Sequence, residues 1–262
     1  MSNYWWFYFV LSCLISWPVW SIGKLFLPEN FRIITSIIGA FGPFVAAIIM
    51  QKRAGGDGLR SWFKTTFNFR IKVKWFLLGG IIFPFLIAGV HHIIYLGLGG
   101  KSGISPGPDW LIYFVYLIST TLLTGGNEEP GWRGYITPVL MERFHPLIVC
   151  VIVGIGWAVW HLPMYFFEGW GGNNQPFLWL LIYCIPLSVI LTWLYYSSRK
   201  SIIPVMLLHA GTNVVFRYFP METKVLVNVA DEFTVIKTIC YFFFAIILIV
   251  ITKGSIGYRR NV

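Results

Sequence analysis

Residues 177–196 read FLWLLIYCIPLSVILTWLYY, twenty positions without one Asp, Glu, Lys or Arg. About 20 residues at roughly 1.5 Å each cross the hydrocarbon core of a bilayer, so this stretch is predicted to be a transmembrane helix. Outward from it, further apolar blocks lie near 4–22, 32–51, 75–98, 109–126, 146–165, 202–218 and 234–252. Of the 262 residues, 57% are apolar or aromatic and only 11% are charged, whereas a soluble domain carries about 25% charged residues and about 45–50% apolar ones. The balance excludes a soluble globular chain and a disordered one. Eight spans would use about 160 positions, leaving short connections and no room for a soluble domain. The expectation is a single integral membrane domain over 1–262, an all-α, polytopic transmembrane helical bundle of about eight spans. The first block lacks a basic lead and a small-residue cleavage site, so it reads as a retained helix and not as a removed signal peptide.

Twenty Lys and Arg against ten Asp and Glu give a net charge of +10, which raises the possibility of nucleic-acid binding. The distribution of the charge answers against it. Lys52, Arg53, Arg60, Lys64, Arg70, Lys72 and Lys74 share one connection with Asp57 as its single acid, and the positive-inside rule makes that connection cytoplasmic. Alternation then puts both termini inside, with Arg133 and Arg143, Arg199 and Lys200, and Lys253, Arg259 and Arg260. Fourteen basic residues and four acids fall on this side, and six of each on the other. The whole excess sits where anionic lipid headgroups attract it, and no nucleic-acid partner is expected. Cys13, Cys150, Cys184 and Cys240 all lie in apolar blocks without CxxC spacing, as small buried hydrophobes do.

Ionisable groups inside spans are costly and are functional hypotheses by default. In Gly125-Gly126-Asn127-Glu128-Glu129-Pro130-Gly131-Trp132-Arg133, Asn127 is a candidate N-cap and Pro130 is tolerated in the first turn. Glu129 and Arg133 stand at i and i+4, a pairing distance, which leaves Glu128 pointing elsewhere. An interfacial helix start with acids favoured by the helix dipole explains the same residues. Trp157-Ala158-Val159-Trp160-His161 places Trp157 one turn before His161 on one face, a pattern that also suits an interfacial anchor. His209 and Asn213 project from one helix face with Ala210 and Gly211 between them, which equally suits a polar helix–helix clasp. Together the three segments supply a general base, imidazoles for proton movement and an amide donor for an oxyanion. That inventory suits hydrolysis of an amide by water. His91 and His92 rank lower, as residues that could face the same cavity or pack between helices, and Glu168–Pro176 reads as an external turn.

At these residues the sequence resembles the CAAX endopeptidase and bacteriocin-processing family of intramembrane proteases, to which the Ras-converting enzyme belongs. Glu128, Glu129 and Arg133 meet its EExxxR motif. Trp157 and His161 meet an aromatic-xxx-His motif with Trp for the commoner Phe, and His209 and Asn213 meet HxxxN. The three occur in family order over residues 128–213. The resemblance implies a glutamate protease in which Glu128 activates water, His161 positions it or moves its proton, Glu129 with Arg133 fixes the geometry, and His209 with Asn213 stabilises the oxyanion. It implies no cofactor and no obligatory zinc. It implies as substrate a membrane-associated peptide or protein, lipidated or not, and a multi-pass location in a bacterial cell membrane. A small transporter using the same polar groups, or a non-cleaving immunity or scaffold protein, are the competing functions.

One spacing resists this reading. His161 lies 15 residues past Pro146, about 23 Å along a helix, whereas Glu128 stands near the cytoplasmic end of its block. The two meet only if the Gly-Gly-Asn-Glu-Glu-Pro break lies at membrane depth, where irregular backbone is allowed beside a cavity, or if residues 128–144 re-enter the bilayer. The break is the favoured alternative.

Overall fold

The computed structural model describes residues 4–103, 109–166, 176–219, 221, 225–226 and 230–259; apart from Pro176, the predicted external turn 168–176 lies outside them. Each of the eight apolar blocks contains helix. In chain order these are α1 Trp5–Leu25, α2 Arg32–Ala40 and α3 Gly42–Arg53, then α4 Gly58–Thr66 and α5 Val73–Gly97. There follow α6 Trp110–Leu123, the helical segment α7 over 129–141, α8 Pro146–Trp160 and α9 Pro163–Phe166. The chain closes with α10 Phe177–Ser197, α11 Ile203–Val214 and α12 Glu232–Ile251. Two residue pairs, Val225–Leu226 and Ala230–Asp231, form a short antiparallel ladder before α12. The helical membrane bundle stands, but the eight spans are unequal. Among the described residues, α1, the stretch Glu29–Arg53, α5, α10 and α12 are long and apolar enough to cross a bilayer. α6, α8 and α11, with 14, 15 and 12 residues, fall short of the roughly 20 required. The amphipathic α4, which buries Trp62 and Thr66, was not anticipated.

Local chemistry sets several boundaries. Asp109 accepts Ile112 N–H at 3.1 Å to start α6, and Asp231 accepts Thr234 N–H at 2.7 Å to start α12, each side chain satisfying a donor that the first turn leaves over. Pro43, Pro146 and Pro204 occupy first-turn positions of α3, α8 and α11, where a missing N–H costs nothing. Glycines bring backbones together: a Cβ on Gly79 would stand 2.2 Å from Pro204 O, and one on Gly131 would stand 2.3 Å from Pro43 O. Such close approach is what packs helices where no hydrophobic gradient drives them. Two π turns, 78–82 and 132–136, lie at these contacts. In the second, Trp62 Nε1 donates to Gly134 O at 2.8 Å and Thr137 Oγ1 to Trp132 O at 2.7 Å.

Long-range contacts sort the connections into two ends. At one end Arg53 lies over the Phe7 ring, Trp5 meets Phe144, Ile202 N–H donates to Thr66 O, and Ser201 Oγ donates to Asn68 O. This end carries the basic connections. At the other, Tyr218 Oη donates to Asp109 O and His91 packs on Phe233. The connections alternate between these two ends, but Glu128, Glu129 and Arg133, which the charge count placed at the basic end, lie buried inside the bundle.

The break between α6 and α7 lies inside the bundle. Gly125 to Gly134 are all buried, while Glu142, Arg143 and His145 beyond α7 are exposed. Single cysteines placed along 125–145 in a protein freed of its four native ones are expected to react slowly with a water-soluble maleimide from 126 to 134 and fast from 142 onward. Uniformly fast labelling would rule out the buried break.

Candidate active site

The chain stops being α-helical at Thr124, passes an extended Gly125 and winds one 3-10 turn, Gly126–Glu128, before α7 begins. A Cβ on Gly126 would lie 2.6 Å from Thr121 O and 2.9 Å from Met206 O, so only glycine lets the break press against α11. Asn127 is not the N-cap expected of it. Its Oδ1 reaches back to accept Gly125 N–H at 2.8 Å, holding the break in shape and leaving α7 to begin without a side-chain cap.

The two adjacent carboxylates part company here. Glu129 is fully buried and accepts Arg133 Nη1 with both oxygens at 2.9 Å, while its Oε1 also takes His209 Nδ1 at 2.8 Å. The helical i, i+4 spacing makes the first contact, and α11 brings the second from 80 residues away. Arg133 is likewise fully buried and lies over the Trp157 ring at 4.9 Å. Glu128 points the other way: its Oε2 accepts Trp157 Nε1–H at 2.7 Å.

Trp157 links four of the site's side chains. It donates to Glu128, presents its face to Arg133, packs its ring edge-on with His209 at 5.0 Å, and offers its carbonyl to His161 Nδ1 at 2.9 Å. A carbonyl only accepts, so His161 carries its proton on Nδ1 and, when neutral, has a lone pair on Nε2. The ring is held between Trp160, 4.6 Å away, and Trp20, stacked at 6.4 Å. His209 likewise gives Nδ1–H to the Glu129 carboxylate, and its Nε2 and Asn213 Nδ2 flank Gly125, 3.4 and 3.0 Å from where a Cβ would stand.

Glu128, Trp157, His161, His209 and Asn213 line one cavity of about 340 Å³. Glu129 and Arg133 do not reach it; they stand behind its wall. The six residues singled out in the sequence therefore divide into four that face the cavity and two that brace it. Among its other lining residues, Trp20, Ser36, Tyr183 and Lys237 lie within six residues of the helix ends remote from the basic connections. The cavity therefore occupies the half of the bundle away from the charged end, with Glu128 at its inner limit. His91 and His92 do not line it: His91 Nε2 bonds Phe233 O at 3.0 Å, which is helix packing. Among the described residues no three His, Cys, Asp or Glu side chains cluster as metal ligands do.

Sequence reasoning assigned no part to Lys237 or Tyr183, and none to the Trp157 indole as a donor. The presence of Trp157 in a motif was visible; its partner 29 residues upstream was not.

Residues 108–215, which contain all six candidates, match the family model for type II CAAX prenyl endopeptidases, described as Rce1-like. The chain is also 25% identical over 227 residues to CAAX prenyl protease 2 of Methanococcus maripaludis, a similarity covering 79% of this chain and 82% of the relative.

Proposed function

We propose that this chain, an intramembrane endopeptidase by its similarity to the CAAX prenyl endopeptidases, uses Glu128 as the base that activates the hydrolytic water. The observation carrying this reading is the placement of the Glu128 carboxylate, buried on the wall of an intramembrane cavity and oriented by one indole N–H at 2.7 Å. That bond occupies Oε2 and leaves Oε1 to take a proton. Glu129, by contrast, has both oxygens committed to Arg133 and His209.

In the proposed reaction a water in the cavity gives a proton to Glu128 while its oxygen attacks the peptide carbonyl carbon. The carbonyl π pair moves onto oxygen, where Asn213 Nδ2–H and, when its ring carries both protons, His209 Nε2–H stabilise the oxyanion. The C–N bond then breaks as the oxyanion collapses. The proton held by Glu128 passes to the leaving nitrogen, with His161 Nε2 placing the water and relaying that proton. Glu129 and Arg133 are positioning residues: they hold the His209 ring and the Trp157 indole.

The substrate class is a membrane-associated peptide or protein, and the setting a bacterial cell membrane. The test is mass spectrometry of peptides released in native membranes by wild type and by Glu128→Ala, with prenylated and unprenylated peptides both supplied. Fragments present with wild type and missing with the variant are expected; identical fragment sets would refute the assignment and favour a non-cleaving role.

A further inference from the structure

We propose that the pocket between the turn after α10 and the segment 252–259 that follows α12 binds the phosphate of an anionic phospholipid headgroup. It lies at the basic end of the bundle, apart from the catalytic cavity. Arg199 and Lys200 from the turn and Arg259 from the segment line a space of about 890 Å³, with Trp75 of α5 and the Ser197 hydroxyl on its wall. Among the described residues none of the three cations has a carboxylate within ion-pair distance, and no acid lines the pocket. Glu142 acts electrostatically on Tyr196 of the wall but stands outside the lining.

Two observations set this pocket apart from the scattered basic charge of the same end. Arg199 and Lys200 both have φ of 60°, a left-handed conformation for which glycine is the residue that fits. Lys200 N–H closes the end of α10 on Tyr195 O at 2.9 Å, which requires the backbone of the turn and not its two cations. Backbone strain of this kind is kept at functional sites. Helix C-termini also attract cations, but each carries only about half a negative charge. The ends of α10 and α12 together therefore offset about one of the three positive charges, leaving the rest for an anion.

The second observation is what adjoins the charge. Inward of Trp75 on α5 and of Thr252 on α12, Leu77, Val250 and Ile251 are exposed, as residues facing acyl chains are. Trp75, with Lys74 Nζ 4.7 Å from its ring centre, has the place of an interfacial aromatic. A lipid phosphate held by the cations lays its acyl chains over this apolar surface, which a soluble phosphate does not use.

Native mass spectrometry of delipidated full-length protein in detergent counts the lipids bound per chain. The probes are phosphatidylglycerol and phosphatidylcholine with the same acyl chains, with inorganic phosphate as competitor. Wild type is expected to bind the first phosphatidylglycerol about 10-fold or more tighter than phosphatidylcholine, the equivalent of one charge-assisted contact. Arg199→Gly/Lys200→Gly removes that preference while the thermal midpoint stays at or above that of wild type, because glycine adopts this backbone without strain. Arg60→Gln/Lys64→Gln, which takes the same charge from α4 at the same end, keeps the preference. Equal binding of the two lipids by wild type, a preference that survives the turn variant, or one that the α4 variant loses as fully, overturns the proposal. Displacement of phosphatidylglycerol by millimolar inorganic phosphate overturns the lipid assignment and makes the ligand a soluble phosphate.

Discussion

Glu128→Gln is expected to lower the rate of peptide-bond cleavage by about 10²–10⁴-fold, the usual contribution of a positioned general base, or roughly 3–5 kcal/mol of barrier. The substitution changes little else. An amide oxygen accepts the Trp157 indole N–H as the carboxylate does, so the 2.7 Å contact has a neutral equivalent, and the side-chain volume is conserved. The buried site also becomes cheaper to desolvate, because a neutral amide replaces a charge. Insertion and thermal stability should therefore equal or exceed those of wild type. The measurement is the initial rate on a peptide identified from native membranes, with the protein in proteoliposomes. A variant within about threefold of wild type would remove Glu128 from the base role, because an amide cannot take the water's proton at neutral pH.

Arg133→Met is expected to destabilise the protein by about 3–5 kcal/mol, the cost of leaving one member of a buried ion pair without its partner. The Glu129 carboxylate is fully buried and would retain only His209. The contact of Arg133 with the Trp157 face would go as well. The pair Arg32–Glu29 provides the control. Its 2.7 Å separation is shorter than the 2.9 Å of Arg133–Glu129, but its side chains are 34% and 84% exposed, against 0% for both members of the buried pair. Such a surface pair contributes about 0–1 kcal/mol, so Arg32→Met should be nearly silent. Burial, not distance, decides the outcome. Unfolding midpoints in detergent measure both variants, and the double variant Glu129→Gln/Arg133→Met should recover much of the loss because no charge is then stranded. A loss below about 1 kcal/mol for Arg133→Met would show that the pair does not brace the site.

Features set by local rules were legible in the sequence. The apolar blocks located the helices to within a few residues, most of the basic residues fell in the connections of one end, and i, i+4 spacing paired Glu129 with Arg133. The short helices α8 and α11 were overestimated because hydropathy runs on through α9 and through the 3-10 turn 215–218 after the α-helix itself ends. Other features depend on segments far apart in the chain. Trp157 and Glu128 meet across 29 residues and His209 and Glu129 across 80, and no periodicity records such pairs. Lys237 was counted as one charge among six on its side, since its sequence neighbours carry no sign of Tyr183 across the cavity. Asn127 has the composition of a cap, but the glycines before it allowed the backbone to fold back onto its side chain.

The π turn at 132–136 bears on how this segment tolerates changes in length. A π turn is an α-helix with one additional residue wound into it. Elsewhere in a helix, losing one residue rotates everything beyond it by about 100° and turns buried faces toward lipid. Here the surplus residue can be removed by relaxing the wide turn to an α one, with 129–131 and 137–141 keeping their packing inside the bundle. The half of the segment that carries the carboxylates is in that sense uncoupled from the half that anchors it. A one-codon deletion, ruinous in α10 or α12, is absorbed at this point, at the cost of the bond from Trp62 to Gly134 if Gly134 is the residue lost.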